Sequence, residues 1–174
     1  LSRTHRYADA TEQYMARNAL MGGIDQSWIG NPDLKPEQHN QFDIGMSQVS
    51  DKTNWTVSAY YDVVNNYILR DLATNQTDSG VTATAPGVTD LRTIYVNKDA
   101  TIYGLDMSGS WKTSQHIKIG SSLSLTKGTN ETDDRNLSNI APISGLAFAE
   151  YATNNWKTGA RFNFATAQSE VNAE

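Results

Sequence analysis

Between Phe42 and Phe164 the chain alternates apolar and polar residues in five segments, and in each segment one of the two alternating tracks carries no charge. A period of two places successive side chains on opposite faces of an extended strand. The uncharged tracks are Phe42, Ile44, Met46; Trp55, Val57, Ala59, Tyr61, Val63; and Tyr103, Leu105, Met107, Gly109, Trp111. They continue as Ile117, Ile119, Ser121, Leu123, Leu125 and as Trp156, Thr158, Ala160, Phe162, Phe164. Only Gly109, Ser121 and Thr158 among them are not apolar. The opposite tracks hold Asp43, Asp62, Asp106, Lys118, Lys157 and Arg161 among Gly, Ser and Thr. One face of such strands meets surroundings that exclude charge, and the other does not. The segment 143–153 fits less well. Leu146 and Phe148 alternate, but Glu150 falls on their track, which places it at a rim.

The breaks between segments come in two lengths that alternate strictly. Short polar breaks at Ser50–Asn54, Thr113–Gln115 and Thr153–Asn155 suit tight hairpin turns. Long breaks at about 15–37, 74–91 and 128–143 contain all four prolines. Segments 54–73 and 92–113 far exceed the roughly 5–6 residues usual for strands of globular domains. Trp55, Trp111 and Trp156 each lie on the apolar track beside a short turn. That is the position of an aromatic girdle at a membrane interface, where an apolar ring and a polar N–H are both accommodated. A soluble β-sandwich also alternates, but it gives no reason for three tryptophans at one end. The pattern predicts an all-β fold of antiparallel up-and-down strands forming part of a transmembrane β-barrel, with short turns on one side and long loops on the other. A Lys or Arg facing lipid at the midplane costs roughly 2–4 kcal/mol, which accounts for the uncharged tracks. No sustained helical spacing is present, and no run of 18 apolar residues offers a transmembrane helix.

The chain begins at Leu1 inside strand-like sequence and stops at Glu174 without a closing strand pattern, so residues 1–174 are expected to be a fragment of a longer protein. The absence of cysteine removes disulfides and thiolate chemistry from these residues. A net charge of -5 disfavours nucleic acid as a partner.

The most specific local sequence is Gly30-Asn31-Pro32-Asp33-Leu34-Lys35-Pro36-Glu37, followed by Phe42-Asp43-Ile44-Gly45. Asn31-Pro32-Asp33 suits a type I turn, and Pro36 withholds a backbone donor just before a strand. This stretch resembles the NPxLKPE sequence of TonB-dependent outer-membrane receptors, which leads from an outer loop into a barrel strand. The resemblance continues through Ala59-Tyr60-Tyr61-Asp62, Asn66-Tyr67-Ile68-Leu69 and Asn97-Lys98-Asp99-Ala100-Thr101-Ile102-Tyr103-Gly104-Leu105-Asp106, with Asp106 where the family more often has Glu. Arg3-Thr4, Ala8–Tyr14, Leu137–Pro142 and Ala167-Gln168 are most similar to the copper-associated receptors, with Ala141-Pro142 in place of Pro-Pro. The resemblance implies a barrel of about 22 strands, of which about six or seven are here, with a plug domain and the final strands outside this chain. It further implies import of a scarce metal or metal chelate across the outer membrane of a Gram-negative bacterium, possible copper included, with outer-membrane lipid and the TonB complex as partners. A siderophore receptor of the same family is the alternative, as is a surface β protein that binds ligand without transport.

Few residues carry chemistry of their own. Met15 and Met21 flank Arg17 in the first long loop, with His5 nearby, and thioether sulfur suits Cu(I). Loop methionines more often serve as apolar contacts, and that reading is preferred. His39 and His116 are isolated. Asp133-Asp134 reads as a solvated acidic pair, since calcium needs six to eight oxygen ligands. The tripeptides at Asn54, Asn75 and Asn130 match a glycosylation acceptor by chance. No nucleophile, base and acid come together as catalysis requires, and an outer-membrane hydrolase would need a Ser–His pair at the outer rim. No catalytic, cofactor or metal residue is therefore assigned, and no cofactor is expected.

Overall fold

The computed structural model describes residues 1–75, 87–138 and 140–167. Gln76 and Thr77 of one tripeptide, most of the second long loop, Asn139 and Gln168 lie outside them. Seven strands lie side by side in chain order: β1 (Ser2–Arg6), β2 (Glu37–Val49), β3 (Thr53–Leu72), β4 (Thr93–Lys112), β5 (Ile117–Asn130), β6 (Ser144–Ala152) and β7 (Lys157–Ala165). This is the expected up-and-down meander. The strands are grouped in two compact units, one of residues 1–2, 40–63 and 100–174 and the other of residues 3–39 and 64–99.

In the first unit the ladders keep the two tracks apart. β4 pairs antiparallel with β5, setting Leu105 against Leu125, Met107 against Leu123 and Trp111 against Ile119. On the other face Asp106 meets Ser124 and Ser108 meets Ser122. A slip of one residue would mix the faces, so the pattern fixes the register. Tyr61 stacks on Tyr103 across β3 and β4, with ring centroids 6.4 Å apart. The apolar face stays exposed: Phe42, Ile44, Met46, Trp111 and Phe162 are all more than half accessible. Among the described residues of this unit no core covers these side chains.

Each short turn is closed by a hydroxyl. Ser50 Oγ accepts from Thr53 N at 3.0 Å, Ser114 Oγ from Ile117 N at 3.1 Å, and Thr153 Oγ1 from Trp156 N at 3.3 Å. The side chain satisfies an amide that the ladder leaves unpaired, which is why Ser and Thr occupy these breaks.

Strand β6 corrects the expectation for 143–153. Its ladder with β5 sets Ile117 against Tyr151, Ile119 against Ala149 and Ser121 against Ala147, so its apolar-face track is Gly145, Ala147, Ala149, Tyr151. Leu146, Phe148 and Glu150 all lie on the polar face, where Phe148 is opposite Gly120 and Arg161. Glu150 is thus not on the apolar track, although it does lie near the short-turn end of the strand. It belongs with the charges, 3.0 Å from Lys157. Two small-for-large fits fix aromatic rings on this face. A Cβ on Gly104 would lie 2.5–2.6 Å from Tyr60 ring atoms, and one on Gly120 would overlap the Phe148 ring.

Among its described residues the second unit contains one short α-helix, α1 (Ala10–Tyr14), which the apolar periodicity did not announce. Five residues are too few for periodicity to register; the signal was the cap instead. Asp9 Oδ1 accepts from Glu12 N at 2.8 Å while Glu12 Oε2 accepts from Asp9 N at 2.8 Å, a reciprocal capping box. Beyond it, Ala16–Arg17 pairs with Trp28–Ile29, and Leu20–Met21 with Ile24–Asp25. Two-residue ladders of this kind leave no alternating signature. In β3, Asn66 takes φ 58°, a left-handed conformation that Asn tolerates. Its N–H donates to Asp99 Oδ1 at 3.1 Å, and its carbonyl accepts from Asn97 Nδ2 at 2.7 Å.

Candidate functional site

The Asn31–Glu37 stretch becomes a clamp in the second unit. Asn31 Oδ1 accepts from Asp33 N at 3.0 Å, closing the turn, and Asn31 Nδ2 donates to Tyr95 O at 3.1 Å. Asn97 then grips the segment on both sides, accepting from Lys35 N at 2.8 Å and donating to Lys35 O at 3.0 Å. Leu34 is buried, and β2 starts directly after Pro36, as the missing donor requires.

Glu37 is the keystone of this clamp, only 2% exposed. Its carboxylate accepts from Arg6 Nε at 2.7 Å, Arg6 Nη2 at 2.8 Å and Ile68 N at 2.8 Å, and lies 3.2 Å from His39 Nε2. Arg6 also reaches Glu12 at 2.9 Å, which ties β1 and α1 to the start of β2. Burial alone would raise the Glu37 carboxyl, but the Arg6, Ile68 and His39 hydrogen bonds outweigh it and hold the group below the ordinary carboxylate value. His39, isolated in the sequence, is therefore part of this network. The residues that build the clamp were visible as a motif, whereas Arg6 and Ile68 carried no sequence signal linking them to Glu37.

The same unit sets an arginine against aromatic rings. The Arg70 guanidinium lies 4.8 Å from the Trp28 ring centroid, and Trp28 lies 6.1 Å from Tyr95. Arg17 pairs with Trp28 across the short ladder. Of the metal candidates, Met21 sits beside the tight Gly22-Gly23 reversal and is 80% exposed, while Met15 is half-buried where α1 ends. Met15 accepts from Gly30 N at 2.7 Å through its carbonyl, so its backbone is part of the scaffold. His5 stands exposed on β1. Among the described residues, no group of three or more His, Asp or Glu is spaced to hold a metal ion.

In the first unit, His116 Nδ1 is 2.9 Å from Ala152 O, and its ring is 5.7 Å from that of Tyr151. Asp133 and Asp134 are both exposed, as expected of a solvated pair, and Asp133 also has local partners. It accepts from Asn130 Nδ2 at 2.9 Å and from Arg135 Nη2 at 3.1 Å, and Asp134 takes the turn at φ 52°. The Leu137–Pro142 stretch gains a physical role: Leu137 is 2% exposed, and both it and Ile140 close over the space a Cβ on Gly128 would fill. The polar face of β3–β7 carries a recess of about 460 Å³ lined by Thr56, Ser58, Asp106, Ser122, Ser124 and Asn163.

The three tryptophans step in one direction along the wall. Trp55 abuts Gly109, Trp111 is level with Ile119, Ala149 and Ala160, and Trp156 lies four residues beyond Ala160 toward its turn. A level ring on strands tilted by about 35–45° has to step along the ladder in this way. A meander of long antiparallel strands with an exposed apolar face, an aromatic ring at its short-turn end and a hydroxylic opposite face defines the wall of a β-barrel.

The chain belongs to the TonB dependent receptor-like, beta-barrel family, whose description it matches over residues 1–174. That family consists of outer-membrane receptors and transporters of Gram-negative bacteria. Among curated proteins none matches the chain. Among solved structures it is similar to "Copper transporter OprC", with a TM-score of 0.76 and 23% sequence identity over 97% of this chain. The chain spans 23% of the length of that protein, and at this identity the likeness concerns the fold.

Proposed function

We propose that the chain is part of the barrel wall of an outer-membrane receptor that imports a scarce metal or metal chelate, with copper as the first reading. The observation that carries this is the family match over the whole chain, supported by the apolar face that a lipid environment would cover. In this reading the apolar tracks face lipid and the polar face lines the interior. The plug, the remaining strands and the contact with the TonB complex belong to the rest of the parent protein. The similarity of Arg3-Thr4, Ala8–Tyr14 and Leu137–Pro142 to the copper-associated receptors favours copper. Arg70 stacked on Trp28 beside Tyr95 favours the second reading, an iron chelate, because a guanidinium with aromatic faces suits an anionic, π-rich ligand.

Cells lacking the full-length receptor, grown under copper limitation, test the choice. The copper reading expects lower cell copper and slower growth, restored by the intact receptor. Unchanged copper with lost uptake of an iron chelate would replace it by the second reading. Met15→Ala with Met21→Ala in the full-length receptor should leave bound copper unchanged, since one is scaffold and the other exposed at a hairpin tip. A clear loss of bound copper, with the barrel still heat-modifiable on a gel, would make this loop a ligand site.

A further inference from the structure

His116, Tyr151 and Trp156 stand in a row at the short-turn end of β5, β6 and β7. The His116 and Tyr151 rings lie 5.7 Å apart and those of Tyr151 and Trp156 5.2 Å apart, tilted at 40° and 39°. Tyr151 and Trp156 belong to the apolar tracks, and His116 directly precedes Ile117, the first apolar-track residue of β5. All three are exposed, Trp156 to 55%. An interface alone accounts for tryptophan and tyrosine there. The histidine adds chemistry that position does not require.

The polar atoms of the row have a definite sense. His116 Nδ1 lies 2.9 Å from Ala152 O, and a carbonyl only accepts, so Nδ1 carries the proton. Nε2 of the neutral ring is then an acceptor, on the edge of the imidazole turned away from that carbonyl. Trp55 Nε1 donates within the wall to Gln48 Oε1 at 2.8 Å, whereas Trp156 Nε1 has no acceptor among the described residues. The row thus offers an acceptor beside aromatic faces, which suits an ammonium, and an N–H donor, which suits a phosphate oxygen.

Neither charge is held here alone. Residues 112–119 and 151–158 include no acid, and Glu150 lies on the polar face with Lys157 at 3.0 Å. Lys112, Lys118 and Lys157 are on the polar track too, so no lysine of these turns stands on this face for a free phosphate. The ligand that fits carries both charges together.

We propose that this row binds the headgroup of an ethanolamine phospholipid, its primary ammonium donating to His116 Nε2 over the Tyr151 ring and its phosphate accepting from Trp156 Nε1. The inference rests on the reading of this chain as a barrel wall whose apolar face meets lipid. A choline headgroup has the charge for the ring but no N–H for Nε2, and a glycerol headgroup has no ammonium.

The test uses the full-length receptor in mixed micelles with equal amounts of phosphatidylethanolamine, phosphatidylcholine and phosphatidylglycerol of the same acyl chains. Retained lipid is counted by native mass spectrometry. The ethanolamine lipid should be kept at least fivefold over each of the others. His116→Phe, which keeps a ring and removes Nε2, should lower the ethanolamine-to-choline ratio severalfold, and Trp156→Phe should lower retention of the ethanolamine lipid. Both variants are compared in the heat-modifiable band. If His116→Phe does not assemble, N-methylation of the lipid gives the same information on the unaltered receptor. Retention should drop at least threefold between dimethylethanolamine, which keeps one N–H, and choline, which has none. Equal retention of the three headgroups, preference for the glycerol lipid, or ratios indifferent to these substitutions or to the last N–H would each overturn the proposal. A spin label at position 117 that oxygen in the bilayer fails to relax would instead overturn the lipid-facing reading beneath it.

Discussion

Glu37 shows how one buried carboxylate holds three pieces of chain together, and its titration sets a pH limit on the clamp. Its folded-state value lies below the ordinary 4.5, so the stability it contributes is present above that value and is lost as pH falls through the lowered one. Exchange of the Ile68 amide in the full-length receptor, corrected for intrinsic rate, should accelerate once the pH has fallen below the ordinary carboxylate range, and Glu37→Gln should remove that step. An Ile68 amide equally protected at pH 3 would show that the carboxylate does not hold it. Arg6→Ala leaves Glu37 buried without its guanidinium and should loosen this unit by roughly 2–3 kcal/mol. On the wall, Val57→Arg places a charge on the apolar track and should cost roughly 2–4 kcal/mol near a lipid midplane. Arg161→Ala, on the polar face, should leave the heat-modifiable fraction unchanged. Equal losses from both would mean that the faces have been assigned wrongly.

At the scale of elements, β4 and β5 were legible because their large apolar side chains all stand on one track and fix the register. β6 was not, and for a physical reason. Its apolar-face residues Gly145, Ala147 and Ala149 are too small to signal a face, while Leu146 and Phe148 signal the opposite one. The helix α1 and the paired dipeptides near Met15 were equally hidden, since none is long enough for a period to repeat. The Asn31–Glu37 motif announced a turn and a strand start but not its partners, which lie far away in sequence. Between β3 and β4 the fit of Tyr60 over Gly104 is a sensitive point, reinforced where Tyr60 Oη meets Thr126 Oγ1 at 3.1 Å. Gly104→Ala should destabilise the wall by about 1–3 kcal/mol through overpacking. Adding Tyr60→Ala should recover part of that loss in a double-mutant cycle on refolding into detergent. Strict additivity of the two changes would mean that the ring does not rest on this glycine.

At the scale of the whole molecule, the sequence carried the class of fold because most strands of the wall repeat one rule: large apolar side chains on one track and polar ones on the other. It did not carry the ligand, because loop side chains obey no such repeat. The central claim is therefore the two-faced wall itself. Spin labels on single cysteines in the full-length receptor, reconstituted in a lipid bilayer, test it directly, and these residues contain no cysteine to interfere. Labels at positions 57, 105, 119 and 162 should be relaxed strongly by oxygen, which concentrates in lipid, and weakly by a water-soluble nickel chelate. Labels at 58, 106, 122 and 161 should show low oxygen accessibility, so that the signal alternates with a period of two along β3, β4, β5 and β7. Oxygen accessibility that is uniform along these strands, or highest at 58, 106, 122 and 161, would contradict the account.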